Sequence, residues 1–202
     1  MFEIEDSLQA KGYRYIVGID EAGRGPLAGP VVASAVLLKN KKFTSRIADS
    51  KKMSPSRRDE AFHEIYENAY VGVGIMNETI IDEINILQAT FQAMNNAVES
   101  LCAQVKEERI RAELYLLIDG NQFVKDSPYS YLTVVDGDAK VFSIACASII
   151  AKVTRDRILN MYDRIFPEYG FRSHKGYPTV SHKQAIRKHG LCLIHRRSFH
   201  YI

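Results

Sequence analysis

The sequence predicts an α/β domain, and three observations predict it. Short β-branched runs recur at 15–19, 31–38, 70–75, 114–118 and 131–135. Between them lie stretches whose apolar residues step by threes and fours, the spacing of amphipathic helices. After residue 170 the composition changes: residues 171–202 hold seven Lys or Arg, five of the six histidines and no Asp or Glu. The chain therefore closes in a basic helical region, an electrostatic pattern suited to phosphate backbones.

Length and composition set the outer bounds. The 202 residues, 46% hydrophobic and 25% charged, suit one soluble domain over 1–202. No run approaches the roughly 18 apolar residues of a membrane span, and Met1-Phe-Glu-Ile-Glu-Asp6 is acidic where a signal peptide is basic. These features predict a cytoplasmic protein with no membrane contact, and monomer is the default expectation. Cys102, Cys146 and Cys192 are odd in number and share no C-x-x-C, so they are read as free thiols.

The first strand, around Val17 and Ile19, ends in Asp20 and Glu21 and runs into a bend containing Gly23, Arg24, Gly25, Pro26, Gly29 and Pro30. Two carboxylates beside a glycine-rich bend suit a hard divalent cation and a phosphodiester, although a plain hairpin with exposed acids fits the stretch equally well. Gly23-Arg-Gly25-Pro-Leu-Ala28 satisfies a dinucleotide fingerprint by spelling, but that motif opens a helix, whereas Val31 to Leu38 reads as a second strand. A Walker A loop is excluded because no Lys-Ser/Thr follows the glycines.

Ser54 before Pro55 predicts a helix start, with Ala61, Phe62, Ile65 and Tyr66 as its apolar face down to about Ala69. Tyr70 to Ile75 is a third strand thinned by glycines. Ile80, Ile84, Leu87, Phe91, Met94, Val98 and Leu101 mark one long amphipathic helix, followed by a charged connection over 107–113. Leu114 to Ile118 is the most apolar strand and ends in Asp119-Gly-Asn. Asp-Gly is a common turn pair, but ligands gather at the carboxyl ends of strands in α/β sheets, so Asp20 and Asp119 are candidates for one site. Tyr131 to Val135 is a further strand, followed by Asp136-Gly-Asp138. Residues 139–165 are helical up to Pro167, and Asp156 inside that helix is read as structural. A short helix from about Val180 to His189 ends at Gly190.

Gly18-Ile-Asp-Glu-Ala-Gly-Arg-Gly-Pro-Leu-Ala-Gly-Pro-Val-Val32 closely resembles the signature of type 2 ribonuclease H, ribonuclease HII. Further similar motifs follow in the family's order: Asp49-Ser-Lys, the Gly-Asp before Ser143-Ile-Ala-Cys-Ala-Ser-Ile-Ile-Ala-Lys-Val-Thr-Arg-Asp156, His174-Lys-Gly-Tyr-Pro-Thr179 and His195-Arg-Arg-Ser-Phe199. The resemblance covers residues 14 to 199 and implies a ribonuclease H-like mixed β-sheet flanked by helices, with 171–202 a basic substrate-binding segment.

It further implies that Asp20, Glu21, Asp119 and Asp138 are the catalytic metal ligands, Asp138 being favoured over the neighbouring Asp136 by register with Gly137. Gly23, Arg24 and Gly25 are expected on the ribose hydroxyl and its phosphate, and Tyr177 on the adjacent sugar. Ser50, Lys51, Arg196 and Arg197 are expected on phosphates. An oxygen-only ligand set suits Mg²⁺ or Mn²⁺ in a two-metal site and argues against zinc. The implied substrates are RNA/DNA hybrids and duplex DNA containing ribonucleotides, cut 5′ of the ribonucleotide to leave 3′-hydroxyl and 5′-phosphate ends, in ribonucleotide removal and primer clearance. Gly190-Leu-Cys-Leu193 stands where Gly-Pro-Ser-Pro is usual, a departure expected to loosen a turn. Type 3 ribonuclease H carries an N-terminal extension for which about a dozen residues before the first strand leave no room. The competing readings are a non-catalytic nucleic-acid-binding module of this fold and a small-molecule phosphatase. A sliding-clamp contact is left undecided by the motifs at the C-terminus.

Overall fold

The computed structural model describes residues 1–45, 47, 53–105 and 110–201. Helix α1 (Glu3–Ala10) leads into β1 (Tyr15–Ala22) and β2 (Val31–Leu38). Then come α2 (Pro55–Asn68), β3 (Ala69–Met76), α3 (Glu78–Cys102), the one-turn α4 (Ile110–Glu113), β4 (Leu114–Asp119) and β5 (Ser130–Val134). The one-turn α5 (Gly137–Lys140) precedes the long α6 (Phe142–Ile165), a 3₁₀ turn at Pro167–Tyr169, the one-turn α7 (Phe171–His174) and α8 (Val180–His189). The strand order is β3-β2-β1-β4-β5. The β1–β2 and β2–β3 pairs are antiparallel and β1–β4 and β4–β5 parallel, so the sheet is mixed.

Helices cover both faces. Val17, Ile19, Ala33, Ala35 and Leu37 point toward α3 and pack on Ala93, Ala97 and Leu101. Val36 and Val71, on the other face, pack on α2 and α6 through Ile65, Ala147 and Ile150. Glycines set how close the helices come. A Cβ on Gly74 would stand 2.0 Å from the Ala93 carbonyl oxygen, and one on Gly18 would stand 2.2 Å from the Ser143 carbonyl carbon. The glycines that thin β3 therefore admit α3, and Gly18 admits the start of α6 against β1.

Ser54 caps α2 as its sequence predicts, accepting from Arg57 N–H at 3.4 Å with Pro55 in the first turn. The expected single helix over 80–101 is broken at Asn85, which has φ 66°. Its Oδ1 accepts from the N–H groups of Leu87 and Gln88 at 3.0 and 3.2 Å, starting the helix again. The apolar stripe runs unbroken across this point, so periodicity does not reveal it. Residues 137–165 likewise divide in two, because Val141 has an extended φ of −120° between α5 and α6.

The basic tail builds its own small core from Tyr169, Phe171 and Ile194, joined to the body by Ala28 and Leu159. Among the described residues no helix is long and apolar enough to cross a membrane, and Cys102, Cys146 and Cys192 are free thiols.

Candidate active site

The two central strands deliver the acids. In the parallel β1–β4 pair Ile19 stands opposite Ile118, so Asp20 and Asp119 occupy the next, adjacent positions, about 4.8 Å apart across the ladder. Glu21 follows on the opposite face of β1. All three line one cavity of about 320 Å³, together with Gly23, Arg24, Gly25 and Tyr177.

This cavity gathers three acids, with the cations Arg24, Lys152 and Arg155 on its wall. Asp20 is buried, and burial first, then the charges of Glu21 and Asp119, push its carboxyl well above the ordinary range. Burial also raises Glu21; Arg24 pulls it down, with Nη1 3.4 Å from Oε1, and Asp119 pushes it up. Protein donors orient the acids. Asp20 Oδ1 accepts from Glu21 N–H at 2.7 Å, and its carboxyl is also bonded by Ser148. Asp119 Oδ1 accepts from Gly137 N–H at 2.7 Å. Among the described residues no three acid, His or Cys side chains stand in a completed ligand shell. The donor set nevertheless fits a hard divalent cation: the oxygens repel one another, one of the acids is buried, and the nearby Arg24 only partly offsets their charge.

The structure places the remaining predicted residues unequally. Asp138 is buried in the single turn of α5, next to the Gly137 that holds Asp119, but it is not among the residues lining the cavity. Asp136 is exposed and left-handed, with φ 55°, so it is the turn residue of the pair. Tyr177 is 45% exposed, and its ring edge lies 3.7 Å from where a Cβ on Gly25 would stand. Ser50 and Lys51 lie outside the described residues. Arg197 is exposed, and its backbone N–H is held by Asp82 Oδ2 of α3 at 2.8 Å.

Arg196 departs from the sequence expectation. It is fully buried, and its guanidinium donates to the carbonyls of Gly29, Arg24, Pro26 and Gly23 at 2.9, 2.9, 2.8 and 2.5 Å. With those N–H groups engaged inside the protein, its guanidinium is placed to shape the glycine-rich bend. Arg155 of α6 does the same from the other side, donating to the Pro30, Lys175 and Ala28 carbonyls at 2.9, 3.0 and 3.0 Å. Burial pulls the Arg155 guanidinium down to about 10 and that of Arg196 down to about 9, so both stay charged at pH 7. A Cβ on Gly23 would stand 2.1 Å from Arg155 Nε, which explains a glycine there.

Sequence reasoning missed Arg155, Ser148 and Lys152, all on the cavity wall. The signal was present. Polar residues at 148, 152 and 155 recur at i, i+4 and i+7 on a helix otherwise packed with buried Ala, Ile and Val, which marks one face turned to a polar site. In the Gly190-Leu-Cys-Leu193 turn both the N–H and the thiol of Cys192 reach His195 Nδ1, at 3.0 and 3.1 Å.

A mixed sheet with acids at the ends of its adjacent central strands, facing a glycine-rich bend, defines an α/β protein with a candidate site for metal-assisted phosphate chemistry. The family model for ribonuclease HII matches residues 17–202. A ribonuclease HII from Clostridioides difficile (strain 630) is 52% identical over 190 residues, covering 94% of this chain and 71% of that protein. One from Geotalea uraniireducens (strain Rf4) is 50% identical over 202 residues, covering 98% and 88%. The crystal structure of the ribonuclease H2 from Pyrococcus horikoshii OT3 superposes with a TM-score of 0.71 at 24% identity, covering 93% of this chain and 95% of that one, a likeness of fold. The chain belongs to the ribonuclease HII family.

Proposed function

We propose that the chain is a metal-dependent endonuclease that hydrolyses the RNA strand of RNA/DNA hybrids and cuts 5′ of ribonucleotides embedded in duplex DNA. The observation that carries this reading is the meeting of Asp20, Glu21 and Asp119 with Gly23, Arg24, Gly25 and Tyr177 around one cavity. Acids alone suit any phosphate chemistry, whereas a bend and an aromatic beside them can test the sugar.

Asp20, Glu21 and Asp119, with Asp138 beside them, would hold Mg²⁺ or Mn²⁺. Bound there as a pair, such ions supply activation of the attacking water and stabilisation of the leaving 3′-oxygen. The protein's part is placement. Ser148 and Glu21 N–H orient Asp20, and Gly137 N–H orients Asp119. Arg155 and Arg196 take up the carbonyls of the bend, and the N–H groups of Leu27 and Gly29 bond to Gly176 O and Ile194 O, so Gly23, Arg24 and Gly25 are the part of the bend that would offer N–H groups to phosphate and 2′-hydroxyl oxygens. Tyr177, beside Gly25, offers a flat apolar face to the neighbouring sugar. Arg24, half-exposed and 3.4 Å from Glu21, supplies mobile positive charge for the phosphate. Hydrolysis at this position leaves 3′-hydroxyl and 5′-phosphate ends. Ribonucleotide removal and primer clearance are the roles such a cut serves, and the basic tail provides attraction for the duplex.

The test is cleavage of a DNA duplex containing one ribonucleotide with Mg²⁺ or Mn²⁺, beside an all-DNA duplex and the Asp119→Asn protein. Cutting 5′ of the ribonucleotide by the unaltered chain alone is expected. A folded protein that binds the duplex and cuts with neither metal would make it a binding module.

A further inference from the structure

Three buried histidines in the tail play no part in the carboxylate site. His174, His182 and His195 are 9%, 0% and 2% exposed. The His174 and His182 rings stack at 4.4 Å with 16° between planes, and Phe171 packs edge-on against His182 at 5.4 Å.

Their hydrogen bonds fix the protons. His182 Nδ1 lies 2.9 Å from the Tyr177 carbonyl oxygen, which can only accept, so Nδ1 carries the hydrogen. His182 Nε2 is then an acceptor. It lies 3.1 Å from His195 Nε2, which must therefore donate. That leaves His195 Nδ1 as the acceptor for both the N–H and the thiol of Cys192. Donation thus runs one way, from Cys192 through His195 and His182 to the backbone of Tyr177. A second proton on either imidazole would set N–H against N–H.

The surroundings favour this neutral arrangement. Facing the pair are His174, whose Nε2 donates to Tyr169 O at 2.8 Å and whose Nδ1 accepts from Gly176 N–H at 3.2 Å, the Tyr169 and Tyr201 rings, and Cys192. Glu168 acts on Tyr169 and Cys192. Burial first, then the neighbouring histidines, hold His195 down to about 4, and burial lowers His182 as well.

The relay ends where the active site begins. The Tyr177 carbonyl also accepts from Thr179 N–H at 2.8 Å, and Tyr177 N–H donates to His174 O at 2.9 Å. The backbone of this one residue is therefore held by the histidine cluster on both sides, while its ring reaches over Gly25.

We propose that His182 and His195 are positioning residues for Tyr177, and that the Cys192–His195–His182 relay presents its ring to the sugar while both imidazoles are neutral. The proposal rests on the reading of Tyr177 as the sugar platform.

The test is a double-mutant cycle on the metal-loaded enzyme with the single-ribonucleotide duplex. Tyr177→Ala is expected to raise KM about tenfold. His182→Phe, which keeps a ring and removes both bonds, is expected to raise KM severalfold with a smaller change in kcat, and His182→Gln, which can donate and accept, to restore most of it. In the Tyr177→Ala background His182→Phe should then change KM less than twofold. Cys192→Ala, at the accessible end, should raise KM about threefold and Cys192→Ser should not, so the idea stays testable should His182→Phe fail to fold. Equal losses with and without Tyr177, or no loss in the folded His182→Phe and Cys192→Ala proteins, would overturn the relay. Cleavage by a Tyr177→Ala enzyme with unchanged KM would instead overturn the platform reading, leaving the carboxylate chemistry intact.

Discussion

Asp20 sits where an ionised carboxylate is least welcome. Its raised titration, from burial and from Glu21 and Asp119, means that protonation favours the metal-free fold. The associated stability is present below the ordinary carboxylate value of about 3.9 and is lost as pH rises through the raised one. Asp20→Asn removes the charge and keeps an oxygen to accept from Glu21 N–H and Ser148. We expect its metal-free melting temperature at pH 7 to rise by about 2–4 °C, the equivalent of roughly 1 kcal/mol in a chain this long, while cleavage falls by about a thousandfold or more. Thermal melting beside single-turnover cleavage checks both, and a fall in melting temperature would refute the electrostatic account. At this scale Asp20, Glu21 and Asp119 were legible because each follows an apolar strand, and strand ends converge. Arg155 and Arg196 were not. Their partners lie 125 and 173 residues away, at Pro30 and Gly23, and no local pattern separates the buried Arg196 from the exposed Arg197 beside it.

Among the elements, the bend from Gly23 to Pro30 is irregular backbone held by side chains. Its carbonyls at 23, 24, 26, 28, 29 and 30 all accept from Arg155 or Arg196. Arg155→Met keeps the length of the side chain and leaves the buried carbonyls of Pro30 and Ala28, and the part-buried one of Lys175, without their donor. Urea unfolding should show a loss on the order of 3 kcal/mol, and KM, which does not depend on the folded fraction, should rise. A variant with unchanged KM would show that Arg196 alone holds the bend. Strands and helix faces were readable in advance because period-2 and period-3.6 patterns record burial directly. The break at Asn85 and the short turn of α5 were not, because both preserve the apolar stripe while altering the backbone beneath it. The glycines of β3 were visible as composition, but their meaning, the close approach of α3, needed the fold.

For the molecule as a whole, the charge asymmetry of the sequence becomes a basic tail whose α8 carries the exposed Arg187 and Lys188. Each phosphate neutralised on duplex DNA contributes about 0.9 to the slope of log K against log salt. If both residues meet phosphates, the Arg187→Gln/Lys188→Gln protein should bind the duplex with a slope shallower by about 1.8, measured by fluorescence anisotropy from 50 to 200 mM salt. An unchanged slope would place the duplex elsewhere on the surface.

The bend near residue 25 also carries a rule of timing. Leu27 N–H bonds to Gly176 O, Gly29 N–H to Ile194 O, and Arg196 fills the centre. The acids of β1 leave the ribosome early, and the sheet can close around them once β4 and β5 have followed. The bend cannot take up these contacts until residue 196 has emerged. A nascent chain whose sheet has closed before residue 196 emerges would thus hold its carboxylates without the contacts that fix the bend beside them.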